Sequence, residues 1–387
     1  MGQSYASKLS VLRKLIFETV RRPRLSLDLR WLGEENQPIA CWNDARNGHP
    51  KGGEDMPIFN LKTALSGLAF AAWATTAQAE FPERDIEVIF PWPPGVTMTS
   101  SQVMAEAMSE ELGVNVTVIS TPGGTGVKAM QTALNRPADG YTIFDGWVAP
   151  MVVQSLMGNI DADHTNFTPL YALGAVPNSV IVRADDDRFP DLEALIQYMK
   201  DNPGDLRYTS GAYGNLPHVA LANMFKATDT VAQHIPYAGL EEALKDMRGG
   251  ILDFMAGNPG FVRANSDHVR VLAALSDLKT VQDIFGGVPL IAESDDFDYP
   301  LTGLAPMGWS WYVVPKGTPE DRVEILRNAM AAALEDPEVK EYFQSIGRPL
   351  LGYPPEDYIS TVDAVREQLS TATDAIAWEA EKLKAAQ

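Results

Sequence analysis

From residue 81 onward, short apolar runs that alternate with polar positions give way repeatedly to stretches with an apolar residue every three or four positions. Ile86, Val88 and Phe90 predict a strand over 86–90, and Met104, Met108 and Leu112 predict a helix over 102–112. The same reading places strands at 114–120, 141–144, 176–182, 206–210, 231–235, 251–255, 269–275 and 309–314. Helices are expected at 127–135, 192–200, 217–226 and 240–247, with a mostly helical tail from Pro319. Strands that alternate with helices predict an α/β fold with parallel or mixed sheets flanked by helices.

The polar and glycine-rich residues gather in the turns at 91–101, 121–126, 145–150, 210–218, 236–240 and 257–260. In open α/β sheets ligands sit in the crevice beyond strand C-termini, so these loops together predict a ligand cleft. The first is stiffened by Pro91, Pro93 and Pro94, each with φ fixed and no N–H. It then offers hydroxyls and backbone donors at a helix start, where an anion is favoured. The alternative is an ordinary strand-to-helix loop, with Thr99 as N-cap and Gln102 completing a capping box.

The N-terminal region reads differently. Residues 1–55 hold a basic cluster at 21–24 and no sustained apolar periodicity. Residues 56–79 combine a short positive region, an apolar stretch and the small-residue site Ala77-Gln78-Ala79, the pattern of a secretory signal peptide. The apolar stretch is shorter than the ~20 residues a transmembrane helix needs. Translation is therefore expected to start at Met56, with cleavage after Ala79 and 1–55 a mis-called extension.

The net charge of −20 argues against nucleic acid or an anionic membrane as partner, since both select basic surfaces. It leaves room for an anionic ligand, because helix ends and oriented amides make a pocket locally positive. The only cysteine, Cys41, lies in the doubtful extension, and the five histidines show no metal-ligand spacing, so no metal and no cofactor is expected. Asp185, Asp186 and Asp187 read as a solvated turn, and Asp253 as a structural residue.

Taken in order, the loops resemble the periplasmic solute receptors of tripartite tricarboxylate transporters, the Bug or TctC-like family. Residues 90–99 stand in place of the family's V-P-F-P-P-G-G-x-x-D loop, and 121–126 resemble its R-P-G-A-G-G turn. Asp139-Gly140-Tyr141-Thr142 matches D-G-Y-T, and 208–218 are similar to Y-x-S-x-G-x-G-S-x-x-H. Residues 235–239 with 249–253 resemble V-P-Y-K-G and G-G-Q-V-D, and 315–319 match P-A-G-T-P.

The resemblance implies a two-lobed Venus-flytrap fold, with lobe one at 80–177 and 304–387 and lobe two at 178–303. It implies a periplasmic, monomeric receptor that captures a small organic carboxylate and delivers it to integral membrane transporter subunits. Expected ligand contacts are Trp92, Thr97, Thr99, Ser100, Thr125, Gly126 and Trp147 from the first lobe. The second adds Tyr213, Asn215, His218, Tyr237 and Asn258. Two departures bear on the ligand: Val96 replaces a glycine, and Thr99 replaces the aspartate that faces a ligand amine. A neutral Thr99 argues against amino-acid ligands, while Trp92, Trp147 and Trp309 favour an apolar or ring portion. His218, at a helix start, is better suited to neutral hydrogen bonding than to a cationic role.

Two other functions fit the same sequence. A sensory receptor presenting ligand to a histidine kinase would use the same cleft. A hydrolytic enzyme on an α/β fold would need a nucleophile and base, for which Ser210 with His218 is the nearest pairing, without an identifiable third group. No G-x-S-x-G elbow or phosphate loop supports it.

Overall fold

The computed structural model describes residues 81–386. The extension expected over 1–55 and the signal peptide expected over 56–79 lie outside the described residues.

Two five-stranded mixed sheets organise the chain. Strands β1 (Ile86–Phe90), β2 (Val116–Ser120), β3 (Thr142–Trp147), β4 (Phe167–Val176) and β10 (Gly308–Pro315) form the first, in the order β2-β1-β3-β10-β4. The second orders β7 (Gln233–His234), β6 (Arg207–Thr209), β8 (Phe254–Gly257), β5 (Ser179–Arg183) and β9 (Val269–Ala274). In each, parallel pairs lie at one end: β1 with β2 and β3, and β6 with β7 and β8. The returning strands, β10 and β5, pair antiparallel with their neighbours on both sides. The mixed, helix-flanked architecture expected from the sequence is the one observed.

Position in the sheet explains the residue patterns. Central β10 is buried along all eight residues, and its Gly-Trp-Ser-Trp-Tyr-Val-Val-Pro run is apolar on both faces because both are covered. β4 escapes sequence reading because Pro169 interrupts it. It is tolerated because β4 is the sheet's edge, where a missing N–H breaks no ladder.

The helix predicted over 102–112 starts earlier, at Val96. Its first turns, Thr-Met-Thr-Ser-Ser, show no apolar stripe because Ser100 and Ser101 face inward and are fully buried there. Buried hydroxyls are acceptable only with partners, and they have them. Ser101 Oγ lies 2.6 Å from the Tyr312 hydroxyl, and Ser100 Oγ donates to Thr97 O at 2.7 Å.

The chain passes from the first sheet to the second through Pro177 and Asn178, between β4 and β5, and returns into β10. There Gly308 pairs with Val176, so the two crossing segments lie side by side. The C-terminal helices reach across as well. Tyr358 packs its ring against Trp311 of the first sheet, while the helix Asp374–Ala386 packs on the helix Leu216–Thr228 beside the second. Glu379 there accepts from the Tyr208 hydroxyl at 2.6 Å.

The aspartate run at 185–187 differs from the expected solvated turn in one member. Asp186 is 4% exposed and pairs with Arg188 at 2.8 Å, which holds its carboxyl below the usual range. Asp253 also receives Arg188, at 2.9 Å, and the Arg207 amide. No described helix is long and apolar enough to cross a membrane.

Candidate functional site

A cavity of about 470 Å³ opens between the loops of the two sheets, within the size range of small-molecule sites. The first sheet contributes Trp92, Pro93, Pro94, Gly95, Val96, Thr97 and Trp147. The second contributes Ser210, Gly211, Asn215, Leu240, Asn258 and Phe261, and the crossing segments supply Val176, Asn178 and Gly308.

The start of the helix Val96–Leu112 lies on the wall of this cavity. Its N-cap is Gly95, so no side chain satisfies the first amides, and the first turn holds no acidic residue. The first intrahelical bond runs from Thr99 N–H to Gly95 O at 3.0 Å, which leaves the amides of 96–98 without helical partners. Uncapped amides at the positive end of a helix dipole are donors available to an anion. The capping box considered for Thr99 is absent, because the helix begins three residues before it. The Thr99 hydroxyl instead returns to Gly95 O at 3.3 Å.

The aromatic wall is built to be stiff. Trp92 and Trp147 meet edge to face at 6.0 Å, and Ser120 Oγ pins the Trp92 carbonyl at 2.8 Å. Behind Trp147 lies Arg348, fully enclosed, with its guanidinium 5.0 Å from the Trp147 ring centroid. Arg348 also donates to Ser100 Oγ and, at 3.0 Å, to Ser310 Oγ. Asp145 is buried beside this group, and neither carboxylate oxygen meets a hydrogen-bond partner among the described residues. Burial raises its pKa, with the Arg348 charge opposing the rise. Burial likewise pushes Arg348 down to about 10, against the pull of Asp145.

On the opposite side, loop 210–215 is held by two stacked histidines whose rings lie 4.2 Å apart. His218 Nδ1 accepts from Gly214 N–H at 2.9 Å, which fixes its proton on Nε2, facing Glu379 at 3.1 Å. His234 Nε2 accepts from the Ser210 amide at 3.3 Å and faces the Ser210 hydroxyl at 2.8 Å. Burial, then the neighbouring His218, pushes His234 down to about 3. The serine therefore pairs with His234 rather than His218. Because His234 Nδ1 has no partner among the described residues, the pair lacks the third group that would orient a catalytic base.

Of the residues expected to touch ligand, Trp92, Thr97, Trp147, Asn215 and Asn258 line the cavity. Both asparagines are also helix N-caps, accepting from the His218 and Phe261 amides at 2.9 Å. The others stand outside the lining. Ser100 and His218 are fully buried in the networks above. Thr99 turns back on its own helix. Tyr237 gives its hydroxyl to Asp246 at 2.7 Å and is pushed up to about 12 by burial and that carboxylate.

Thr125 and Tyr213 join the two halves instead. The Thr125 hydroxyl donates to Tyr213 O at 3.0 Å, next to Gln154 Nε2 donating to Gly214 O at 2.9 Å. Gly126 is sterically required there, since its φ is +90° and a Cβ would fall 2.9 Å from Pro150 Cγ. Trp309 is fully buried in the core, away from the cavity.

Sequence reading missed Glu241, Glu242, Phe261 and Arg348. The first three sit where a loop was expected to end or a short helix was not foreseen. Arg348 lies about 250 residues from the loop it supports, with no local signal. A more open depression of about 510 Å³ lies against Glu241, Lys245, Arg248, Gly249 and His268, and no tryptophan, tyrosine or phenylalanine lines it. Among the described residues no group of His, Cys, Asp or Glu is arranged to hold a metal ion.

The profile of the family described as "Tripartite tricarboxylate transporter family receptor" matches residues 101–353. The chain is 30% identical to protein BugT of Bordetella pertussis over 307 residues, which cover 77% of this chain and 90% of BugT. A TctC solute-binding protein from Polaromonas superposes with a TM-score of 0.58 at 25% identity, covering 76% of this chain and 99% of the other. A Rhodopseudomonas palustris protein solved with adipate shares the fold, with a TM-score of 0.67 at 23% identity and 77% and 99% coverage. The relatives are solute-binding proteins, and this chain belongs to the tripartite tricarboxylate transporter receptor family.

Proposed function

We propose that the protein captures a small organic carboxylate in the cavity between its sheets and delivers it to the membrane subunits of a tripartite tricarboxylate-type transporter. One observation carries this reading: the uncapped start of the helix Val96–Leu112, with Gly95, Val96 and Thr97 all on the cavity wall. Amides 96–98 and the Thr97 hydroxyl are donors in a first turn free of acidic residues, which suits one carboxylate. Trp92 and Trp147 flank the body of the ligand, with Asn215 and Asn258 meeting it from the other side. Thr99, Ser100, Thr125, Gly126, Tyr213, His218 and Tyr237 then act by holding these loops in place.

The Ser210–His234 pair without a third group supports a receptor that turns nothing over. Motion of 80–177 with 304–387 against 178–303 is the expected closure, supported by the division of strands between the sheets. Periplasmic export through residues 56–79, as a monomer, completes the reading.

The test is calorimetry of the purified protein with paired acids and their amides, such as hexanoate and hexanamide. Binding of the acid is expected, with stabilisation of about 2.7 kcal/mol at a hundredfold excess over Kd. Thr97→Val is expected to weaken it several-fold. Equal affinity for acid and amide would remove the carboxylate grip.

A further inference from the structure

Among the described residues, the cavity lining includes two charged residues, Glu241 and Glu242, and no lysine, arginine or histidine. Both glutamates stand in the first turn of the helix Leu240–Arg248, whose N-cap Gly239 lines the same cavity, and Glu241 also borders the neighbouring depression that holds Lys245 and Arg248. No ion pair among the described residues engages either one. They place negative charge on this stretch of the cavity wall.

Two helix starts without a side-chain cap lie on the cavity wall, and they differ in charge: the first turn after Gly95 holds no acidic residue, and the first turn after Gly239 holds two. The Gly95 start holds donors for one carboxylate. A second carboxylate at the far end of the ligand would find no cationic side chain, and at the Gly239 helix start the amides of 240–242 come with two like charges in the same turn. Like charges a few ångströms apart repel, the more so as closing loops exclude water. The lining also includes Trp92, Trp147, Leu240 and Phe261, which favour an apolar body.

Resting on the carboxylate reading above, we infer that this receptor selects acids with a single carboxylate, and that Glu241 and Glu242 reject di- and tricarboxylates. The glutamates act as a charge filter. They leave an uncharged or cationic far end unpenalised, and they repel an anionic one.

The experiment is titration calorimetry of the full purified protein with matched acids at four, six and eight carbons. At each length one ligand has a methyl end, one an ammonium end and one a second carboxylate, as in hexanoate, 6-aminohexanoate and adipate. Benzoate and terephthalate make the same comparison on a ring. The diacid is expected to bind on the order of tenfold more weakly than its matched monoacid, the effect of about 1.4 kcal/mol of repulsion. Raising the salt concentration should shrink that ratio, since both glutamates are exposed.

The E241Q/E242Q double variant, its fold checked by thermal melting, should raise the diacid-to-monoacid affinity ratio by about the same tenfold. Diacids that bind as tightly as monoacids, or a ratio unmoved by the double variant, would overturn the charge filter and leave the carboxylate grip standing. Absence of binding by every acid in all the series would instead overturn the grip itself.

Discussion

The guanidinium of Arg348 lies 5.0 Å from the ring centroid of Trp147, so one face of a cavity-wall tryptophan rests on a buried cation. The same side chain reaches Ser100 in the helix start and Ser310 in β10, which ties the aromatic wall to the first turns of the Val96–Leu112 helix. Arg348→Met removes the cation while Asp145 stays buried. Leaving buried Asp145 without this nearby charge, and Ser100 and Ser310 without its donors, should cost on the order of 1–3 kcal/mol, read as a lower urea midpoint. Adding Asp145→Asn should recover part of it. A variant as stable as the parent would show that the Arg348 charge is not required.

His234 makes stability depend on pH. Its folded pKa, about 3, lies below the ordinary 6.5, so as pH falls the unfolded chain takes up the proton first. The stability tied to this group is complete above about pH 6.5 and is lost progressively as pH falls toward 3. At pH 5 the expected loss is about 2 kcal/mol relative to neutral pH. Denaturation curves at pH 7 and pH 5 should show a smaller difference in His234→Gln than in the parent. Equal differences would assign the acid sensitivity to other groups.

Arg263 fastens the second sheet's side to the first. Its Nη1 donates to Ser345 O at 2.7 Å and Gln344 O at 3.4 Å, while Gly347 allows Pro259 to approach. Because Arg263 is exposed, Arg263→Ala should cost no more than about 1 kcal/mol of stability. It should nevertheless weaken ligand affinity about three- to tenfold, since binding must then supply the closure energy. The decisive comparison is Kd by calorimetry against the melting temperature of the free protein.

Gly126→Ala combines a strained φ with a 2.9 Å contact to Pro150, so a loss of about 1–3 kcal/mol is expected. Thermal melting measures it. An unshifted melting temperature would mean that the 123–126 turn relaxes freely, and the steric role given to Gly126 would fall.

Much of this protein is legible in its sequence because strand and helix periods follow directly from which side of each element is buried. β1, the Leu192–Asp201 helix and the succession of glycine-rich turns are of that kind. The order of those turns was enough to imply the family and its two-lobed fold. Local pattern failed where burial did not depend on apolarity. Ser100 and Ser101 hide a helical face, and Pro169 disguises an edge strand, because their compensating partners are distant in sequence.

The same limit governs the site. The chain alone announces a rigid proline loop, its tryptophan and a helix start suited to an anion, since these are neighbours along the backbone. Only folding decides that His218 is spent on Glu379, that Ser210 faces His234, and that Arg348 stands behind Trp147. It also decides that Glu241 and Glu242 share a cavity with Gly95 and Thr97. Such pairings join residues from 24 to about 200 positions apart, and no local propensity encodes which distant group will neutralise, repel or support another.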